Sequence, residues 1–580
     1  MEKQTEKLAL EPKIVAFTCN WCAYAGADYA GVSRISYPPS VRIIRVMCSG
    51  RVEPAFILKA FEQGAWGVFV GGCHEADCHY KTGNLLARER VEETKKLLDL
   101  LGIGSERLRL KWVNANEGDM FAWEISDFVQ VLKKLGPTPL KEITISKQAK
   151  FSLEETISNT EAYSCVECGK CTGICPVARR SEEFSPRRLV ELALERMEAE
   201  IETKGELWEC LTCGLCEEKC PFSVRFSHFV REFRAESRTL DGEKGTKSGL
   251  MFSWMRIMAN EGIKQNRTSW TEGMKTKGKA TSKSDIMYFV GCLPYYNISH
   301  SAINPGSLDI AKNTLSILNV AGITPVILSN ERCCGHDPLV AGDFDTFEKL
   351  ARINAREIKN SGVKRIVVSC PECYETLSIE YPKVIKGWDI EVMHISELTS
   401  ELAEKGKISF ASSNDLKVTF QDPCRLGRIM GVYDAPRNVL NSIPNVTLVE
   451  MEHSRNDALC CGVSAWVNCG ATSKQIQLDR ITEAKSTGAN LIVTACPKCL
   501  IHFRCALSAK TPEGMDPEFK VEDLTSIVAK ALADSRAEKI KMKSKQQKEN
   551  VVKTSTTKEQ KQAQRKGQGT RKQQSKKKES

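Results

Sequence analysis

The chain has 580 residues, of which 41% are hydrophobic and 7% aromatic, so its length and composition predict three or four globular domains. The formal net charge of +10 does not indicate a nucleic-acid-binding body, because residues 541–580 contain 14 Lys and Arg against 3 Asp and Glu. That segment's net charge of +11 leaves −1 for the other 540 residues.

The sequence contains no sign of a membrane protein. No apolar run approaches the ~20 residues that a spanning helix needs, and the first residues, MEKQTEKLAL, lack the apolar stretch of a signal peptide. We therefore expect a cytoplasmic protein without a transmembrane segment, in which cysteines bind metals instead of forming disulfides. The basic tail, 535–580, is predicted to be disordered, and no nucleic-acid partner is expected.

The first predicted domain, 13–137, alternates strands and helices. Strands are predicted at 13–18, 41–47 and 66–71, and helices at 54–63, 85–101 and 121–135. Such alternation favours a compact α/β domain with a parallel sheet.

This domain contains five cysteines, one more than a 2Fe–2S cluster needs. They are Cys19, Cys22, Cys48, Cys73 and Cys78. Their spacing leaves open which one is spare, and a zinc site is the alternative. His74 and His79 flank the last two cysteines and could replace a thiolate. Gly71-Gly72 would let the backbone come close to a cluster.

After a polar linker, 138–160, a small helical domain, 161–236, contains two Cys-x2-Cys-x2-Cys-x3-Cys-Pro runs. This spacing is typical of two-cluster ferredoxins, in which the fourth cysteine of one run binds the cluster of the other. The spacing assigns one 4Fe–4S cubane to Cys165, Cys168, Cys171 and Cys220, and the second to Cys210, Cys213, Cys216 and Cys175. Zinc is the weaker alternative, because it needs only two Cys-x-x-Cys units.

A second linker, 237–284, leads to a five-cysteine pattern that occurs twice, in units 285–400 and 401–534. Each copy has an isolated cysteine, a Cys-Cys-Gly and a Cys-Pro-x-Cys. The copies consist of Cys292, Cys333, Cys334, Cys370 and Cys373, and of Cys424, Cys460, Cys461, Cys496 and Cys499. Because ligand sites of parallel sheets lie beyond the carboxyl ends of the strands, we expect each set to converge and hold a metal cluster.

The predicted fold is therefore a multidomain α/β protein. It combines a small helical two-cluster ferredoxin domain with duplicated Cys-Cys-Gly α/β units that have mainly parallel sheets. Cys469 and Cys505 match no ligand position and are predicted to be core thiols or residues near a site.

The motifs resemble three iron–sulfur families. CVECGKCTGICPVA with CLTCGLCEEKCP is similar to the ferredoxin-like C subunit of heterodisulfide reductase. YFVGC, ERCCGHDP, SCPEC, QDPCRLGR, LCCGVSAW and ACPKC resemble the catalytic B subunit of that enzyme. CNWCAYAGAD, RVMCSGRV and GGCHEADCHY resemble the delta subunit of methyl-viologen-reducing hydrogenase. Residues 13–505 thus resemble a C–B fusion behind a delta-subunit-like domain.

The resemblance implies that each five-cysteine set holds a noncubane 4Fe–4S cluster and that the N-terminal domain holds a 2Fe–2S cluster. The two clusters held by the ten repeat cysteines would then reduce the mixed disulfide of coenzyme M and coenzyme B, in methanogenesis-type energy metabolism. The sequence contains no Gly-x-Gly-x-x-Gly fingerprint, so no flavin is expected in this chain. The implied partners are a flavin-containing A-type subunit of heterodisulfide reductase and, as electron donor, a hydrogenase or formate dehydrogenase.

Two points stay open at this level. Doubled Cys-Cys-Gly units also occur in electron-transfer proteins that do no disulfide chemistry, so the alternative is a relay to a quinone or another sulfur carrier. His336 and His502 are candidate proton donors, although such histidines are more often structural.

Overall fold

The structure, a computed structural model, describes residues 11–140, 143, 151–204, 206–236, 249–274, 284–411, 415–508 and 519–532. The basic tail and large parts of both predicted linkers lie outside the described residues. The predicted fold class is confirmed: parallel α/β sheets accompany a helical cysteine-rich unit and two repeated cysteine-rich units.

The N-terminal domain is a four-stranded parallel sheet in the order β2-β1-β3-β4. Its elements are β1 (Ile14–Cys19), α1 (Ala23–Val32), β2 (Val41–Val46), α2 (Pro54–Glu62), β3 (Gly67–Gly72), α3 (Gly83–Leu101), β4 (Leu108–Trp112) and α4 (Gly118–Leu135). Every residue of β3 is buried, which explains its continuous apolar run. β4 is absent from the predicted elements because its sequence, LRLKW, carries the charges of an edge strand.

A helical unit follows. It consists of α5 (Leu153–Asn159), α6 (Lys170–Ile174), α7 (Pro186–Leu194), α8 (Glu198–Lys204), α9 (Leu215–Glu218) and α10 (Phe226–Glu236). A capping box between Ser152 and Glu155 starts α5, inside the segment predicted as a linker. The short helices α6 and α9 each begin after a glycine in the left-handed region, within the two cysteine runs.

Helix α11 (Leu250–Met258) lies inside the segment 237–284 that the sequence predicts as a linker. All nine of its residues are buried, as expected for a helix without a polar face. Arg256 Nη2 lies 3.1 Å from Glu62 Oε1 of α2, and both side chains are buried. The segment therefore fastens the N-terminal domain to the rest of the molecule, in contrast to the predicted linker.

The first repeat unit has a three-stranded parallel sheet in the order β5-β6-β7. Its elements are β5 (Ile286–Phe289), α12 (Leu293–Ser299), α13 (Ser307–Val320), α14 (His336–Val340), α15 (Phe344–Ser361), β6 (Arg365–Val368), α16 (Pro371–Glu375), α17 (Tyr381–Val384), β7 (Glu391–His394) and α18 (Ile395–Glu404). A π-helical turn, Thr376–Glu380, connects α16 to α17.

The second repeat unit has a four-stranded parallel sheet in the order β11-β10-β8-β9. Its elements are β8 (Leu416–Gln421), α19 (Asp434–Asn441), β9 (Val446–Leu448), α20 (Ala471–Ser486), β10 (Leu491–Thr494), α21 (Pro497–Ser508) and β11 (Lys520–Asp523). A π-helical turn, Arg425–Ile429, follows the first cysteine of this unit.

Two apolar cores join the units. One contains Phe229 of the helical unit together with Leu426 and Phe503 of the second repeat unit. The other contains Leu98 of the N-terminal domain and Trp254 of α11, and extends into the first repeat unit. Within the described residues, no helix combines the length and apolarity that a bilayer crossing requires.

Candidate functional site

The five cysteines of the N-terminal domain lie together at the carboxyl edge of its sheet. Cys19 ends β1, Cys73 follows β3, and their sulfurs are 3.6 Å apart. Cys22 is within hydrogen-bonding distance of Cys73, and Cys48 of Cys78. All five candidate ligands of this N-terminal set are therefore brought together, and the geometry does not separate a spare one.

Backbone groups before and within the first turn of α3 favour a charged sulfur at Cys78. Burial raises the pKa of this thiol, but backbone N–H groups of Asn84, Tyr80 and Gly83 donate to the sulfur and bring its pKa below the ordinary value. In contrast, burial raises the pKa of Cys73, as does its contact with neighbouring sulfurs.

The glycine that approaches a candidate ligand is Gly83, not Gly71-Gly72. A Cβ at Gly83 would collide with the sulfur of Cys48. A Cβ at Gly71 would instead lie 2.7 Å from the Cβ of Ala23 in α1. The space beside Gly71 is therefore needed for packing of the sheet against α1, and the approach of Gly71-Gly72 to a cluster stays a prediction.

The two histidines of the N-terminal domain have other partners. His74 Nε2 lies 2.8 Å from Glu117 Oε2. The ring of His79 stacks on Trp21, with centroids 3.8 Å apart. These contacts favour cysteine over histidine as the ligand type in this domain.

The first cysteine run of the helical unit opens onto a small cavity of about 40 Å³. We call the four cysteines predicted for the first cubane the first ferredoxin-type set, and all four line this cavity: Cys165, Cys168, Cys171 and Cys220. Cys216 of the other predicted set also reaches it. Cys220, which belongs to the second cysteine run, thus lies at the same cavity as the first three cysteines of the first run.

The second ferredoxin-type set comprises Cys175, Cys210, Cys213 and Cys216, which interact with one another. Burial raises the pKa of Cys175 to about 12 and that of Cys210 to about 11. Cys213 differs, because a hydrogen bond with Cys460 lowers its pKa to about 6, with further stabilisation from the Arg428 guanidinium.

The two repeat sets have the same internal order of contacts. In the first repeat set, neighbouring sulfurs interact in the sequence Cys292, Cys333, Cys334, Cys373, Cys370. In the second repeat set, the sequence is Cys424, Cys460, Cys461, Cys499, Cys496. All ten predicted ligands therefore form two contiguous groups, each at the carboxyl ends of parallel strands.

The helical unit contacts the second repeat set directly. The sulfurs of Cys213 and Cys460 are interacting neighbours, although 247 positions separate the two residues in the chain. Arg428 Nε donates to the carbonyl oxygen of Cys213 at 2.9 Å. Arg425 Nη2 donates to Thr212 Oγ1, also at 2.9 Å. The second ferredoxin-type set and the second repeat set are thus directly adjacent in the structure.

A buried ion-pair network joins the two repeat sets. Glu372 and Lys498 are the variable residues of the two Cys-Pro-x-Cys motifs, and Lys498 Nζ lies 2.5 Å from Glu372 Oε2. Lys498 also pairs with Asp337 of α14. Arg425 Nε lies 3.2 Å from Glu375 Oε2. His336, Asp337 and Glu372 could together hold a metal ion, but the Lys498 ammonium already supplies the cation there.

The ionisation states follow from this burial and pairing. Burial raises the pKa of Glu372 well above its ordinary range, and the nearby Asp337 raises it further. For Lys498, burial acts to lower the pKa, but the two carboxylates outweigh it and hold the pKa well above the ordinary value. Burial and the neighbouring Asp337 thus favour the neutral form of Glu372, whereas the two acidic neighbours favour the charged form of Lys498.

Sequence reasoning missed Arg425, Arg428 and the Glu372–Lys498 pair. The opposite charges at equivalent positions of CPEC and CPKC are the signal that could have indicated the pair. Cys469 is exposed, so it is not a core thiol. The half-buried Cys505 accepts a hydrogen bond from Lys474 Nζ at 3.6 Å.

The two candidate proton donors lie beside the repeat sets. Burial lowers the pKa of His336 well below its ordinary value, and Arg425 and Lys498 lower it further. His502 Nδ1 lies 3.4 Å from the sulfur of Cys461.

The donor chemistry of the repeat sets fits iron–sulfur clusters. Each set presents five soft sulfur donors in contact with one another, which is the ligand type that such clusters require. Arg428 carries its charge against the sulfurs of Cys213, Cys424 and Cys460. This cation favours the deprotonated form of Cys213 and Cys424, the form that metal coordination demands.

Comparison with known proteins agrees with this division. Residues 14–136 match the family described as methyl-viologen-reducing hydrogenase, delta subunit. The same region is 58% identical, over 134 residues, to the iron–sulfur D subunit of the F420-non-reducing hydrogenase vhc from Methanococcus voltae, covering 93% of that protein and 23% of this chain. Through its N-terminal domain, the chain belongs to the hydrogenase delta-subunit family.

The remaining units match other families. Residues 161–224 match a 4Fe-4S dicluster domain, and 286–378 and 418–504 match a cysteine-rich domain. The D subunit of a dihydromethanophenazine:CoB–CoM heterodisulfide reductase from Methanosarcina barkeri is 32% identical over 261 residues, which is 44% of this chain and 60% of that protein. The A subunit of a ferredoxin:CoB-CoM heterodisulfide reductase from Methanosarcina mazei is 47% identical over 126 residues, 22% of this chain and 16% of that protein.

The chain is therefore a fusion of a delta-subunit-like domain with a dicluster unit and a pair of cysteine-rich domains, related to proteins of heterodisulfide reductase. It spans about 60% of the length of the Methanosarcina barkeri relative and a much smaller share of the Methanosarcina mazei relative.

Proposed function

We propose that this protein is an iron–sulfur oxidoreductase that reduces a disulfide, namely the heterodisulfide of coenzyme M and coenzyme B, in methanogenesis-type energy metabolism. In this proposal the N-terminal set binds a 2Fe–2S cluster and the ferredoxin-type sets bind two 4Fe–4S cubanes. The repeat sets bind two noncubane 4Fe–4S clusters, which would supply single electrons and soft iron for the sulfur atoms of the substrate.

The observation that carries the proposal is the contact between Cys213 and Cys460. It connects an electron-carrying unit to the second repeat set without an intervening domain. Electron transfer between the two groups then needs no domain movement, because the apolar core around Phe229 and Leu426 holds the units together.

The pairing of the two repeat sets supports disulfide chemistry. Reductive cleavage of a disulfide takes two electrons and two protons and releases two thiols, so two adjacent one-electron centres suit it. Cys496 interacts electrostatically with Cys370 and with Glu372 of the other Cys-Pro-x-Cys motif. The Lys498–Glu372 pair holds these two motifs against each other.

The N-terminal domain supports a partner-dependent electron supply. A hydrogenase iron–sulfur protein is similar to this domain, and the A component of a heterodisulfide reductase is similar to 126 residues of the chain. We therefore propose a complex with a flavin-containing A-type subunit, supplied by a hydrogenase or formate dehydrogenase. The names of the relatives also include ferredoxin and dihydromethanophenazine, so these donors belong in the test.

The test is anaerobic purification with the A-type subunit, followed by metal analysis and a turnover assay. The five proposed clusters require about 18 iron atoms per chain. We expect oxidation of reduced viologen to depend on the coenzyme M–coenzyme B disulfide. Fully loaded protein without such turnover would leave the relay to a quinone or another sulfur carrier, and about 10 iron atoms would contradict cluster binding at both repeats.

Two cysteine variants form a matched pair. Cys499→Ser removes a proposed ligand and should lower both the iron content and the turnover. Cys469→Ser changes an exposed cysteine outside every proposed set and should leave both unchanged. Equal behaviour of the two variants would contradict the ligand assignment.

A further inference from the structure

The two repeat sets differ in the charges that surround them. Counted from the first cysteine of each set, positions one and four are Leu293 and Tyr296 in the first copy, but Arg425 and Arg428 in the second. The duplicated scaffold is otherwise alike, because both cysteines follow a parallel strand and begin a helical turn. The second copy therefore has two cations that the first copy lacks at these positions.

The two arginines are not equivalent. Arg425 forms an ion pair with Glu375, so a carboxylate compensates its charge. Among the described residues, no carboxylate forms an ion pair with Arg428. Near the first copy, Arg267 lies 3.1 Å from Glu331, so that cation has an acidic partner, although burial raises the pKa of Glu331 to about 7.

The surroundings of Arg428 hold its guanidinium at the boundary of the helical unit. Its Nε donates to the Cys213 carbonyl oxygen, and its Nη1 donates to the carbonyl oxygens of Asn456, at 3.1 Å, and Ala458, at 2.6 Å. Its Nη2 is buried and has no hydrogen-bond partner among the described groups. The sulfurs of Cys213, Cys424 and Cys460 are the neighbours that stabilise its charge.

We propose that Arg428 sets the order in which the two repeat centres are reduced: its charge, which no carboxylate among the described residues pairs with, raises the reduction potential of the second repeat centre above that of the first. Reduction adds negative charge to a centre, and a fixed nearby cation stabilises the reduced form. Electrons that leave the helical unit beside Cys213 therefore reduce the centre of the second copy before that of the first copy. This inference rests on the proposed function, because it requires clusters at both repeat sets.

The test compares Arg428→Met with Arg428→Lys in the holoenzyme by redox titration followed by electron paramagnetic resonance. The signals of the two copies are assigned beforehand with Cys373→Ser and Cys499→Ser, each of which removes one centre. We expect Arg428→Met to make reduction of the second centre about tenfold less favourable, which is 59 mV for one electron. The first centre should not shift, and Arg428→Lys should restore part of the difference. Arg352→Met, an exposed arginine on α15, is the control for an equal loss of net charge.

Each outcome decides the inference. An equal shift of both centres, or no shift in protein with a full iron content, would overturn it. Loss of iron in both Arg428→Met and Arg428→Lys would assign Arg428 to structure alone and would also overturn it. Absence of one repeat centre from the unmodified protein is a separate result, which counts against the proposed function.

Discussion

Lys498→Met removes the ammonium that joins the two repeat sets. Lys498 and Asp337 are each only 3% exposed, and Glu372 is 11% exposed. The substitution leaves the buried carboxylate of Asp337 without its cation, next to Glu372, the pKa of which burial raises. Removal of one partner from such a buried pair costs about 3–5 kcal/mol.

Amide hydrogen exchange measures this loss of stability in the helices that carry the pair. We expect the free energy of local opening of α14 and α21 to fall by about 3–5 kcal/mol, up to the global stability of the unit. A second variant, Asp337→Asn combined with Lys498→Met, removes both charges and should recover most of the loss.

The control is Lys405→Met, which breaks an exposed pair with Glu401 on α18. Exposed pairs contribute about 0.2–1 kcal/mol, so this variant should hardly change the exchange. If Lys498→Met and Lys405→Met gave the same small effect, the electrostatic account of the joint between the repeat sets would be wrong.

Two further predictions concern other parts of the molecule. Gly102→Ala should lower the stability of the N-terminal domain, because the new Cβ would collide with the carbonyl oxygen of Lys264. Gly64→Ala has a similar positive φ but open space around it, so it should cost only about 1 kcal/mol of stability. Similar melting temperatures of the two variants would contradict this prediction. Burial lowers the pKa of His394 from 6.5 to about 3, so its contribution to stability is complete above pH 6.5 and is lost as the pH falls towards 3. We expect His394→Asn to remove up to about 5 kcal/mol of this pH dependence in urea unfolding, and an unchanged acid slope would refute the assignment.

The cysteine pattern made much of the site predictable. Spacing within one run, such as Cys165 to Cys171, depends on local backbone geometry, so sequence alone indicates which sulfurs can share a cluster. The apolar strand before each Cys-Pro-x-Cys likewise predicts that the motif is delivered to the edge of a sheet. The grouping of the ten repeat cysteines follows from these two regularities.

Other features of the structure depend on contacts between surfaces that are far apart in the sequence. Composition assigns α11 to a linker, but its apolar surface finds a place between the N-terminal domain and the first repeat unit. The sequence does not single out Gly83, which leaves room for the sulfur of Cys48 only because α3 starts beside that cysteine.

The sequence by itself thus determined the ligand types, their local spacing and the duplication of the second half. Only the tertiary structure decided that Cys213 meets Cys460, that Lys498 joins the two Cys-Pro-x-Cys motifs and that Arg428 stands at their boundary with the helical unit. The reason is physical: local spacing follows from bonded geometry, whereas these contacts follow from how buried surfaces far apart in the chain pack together.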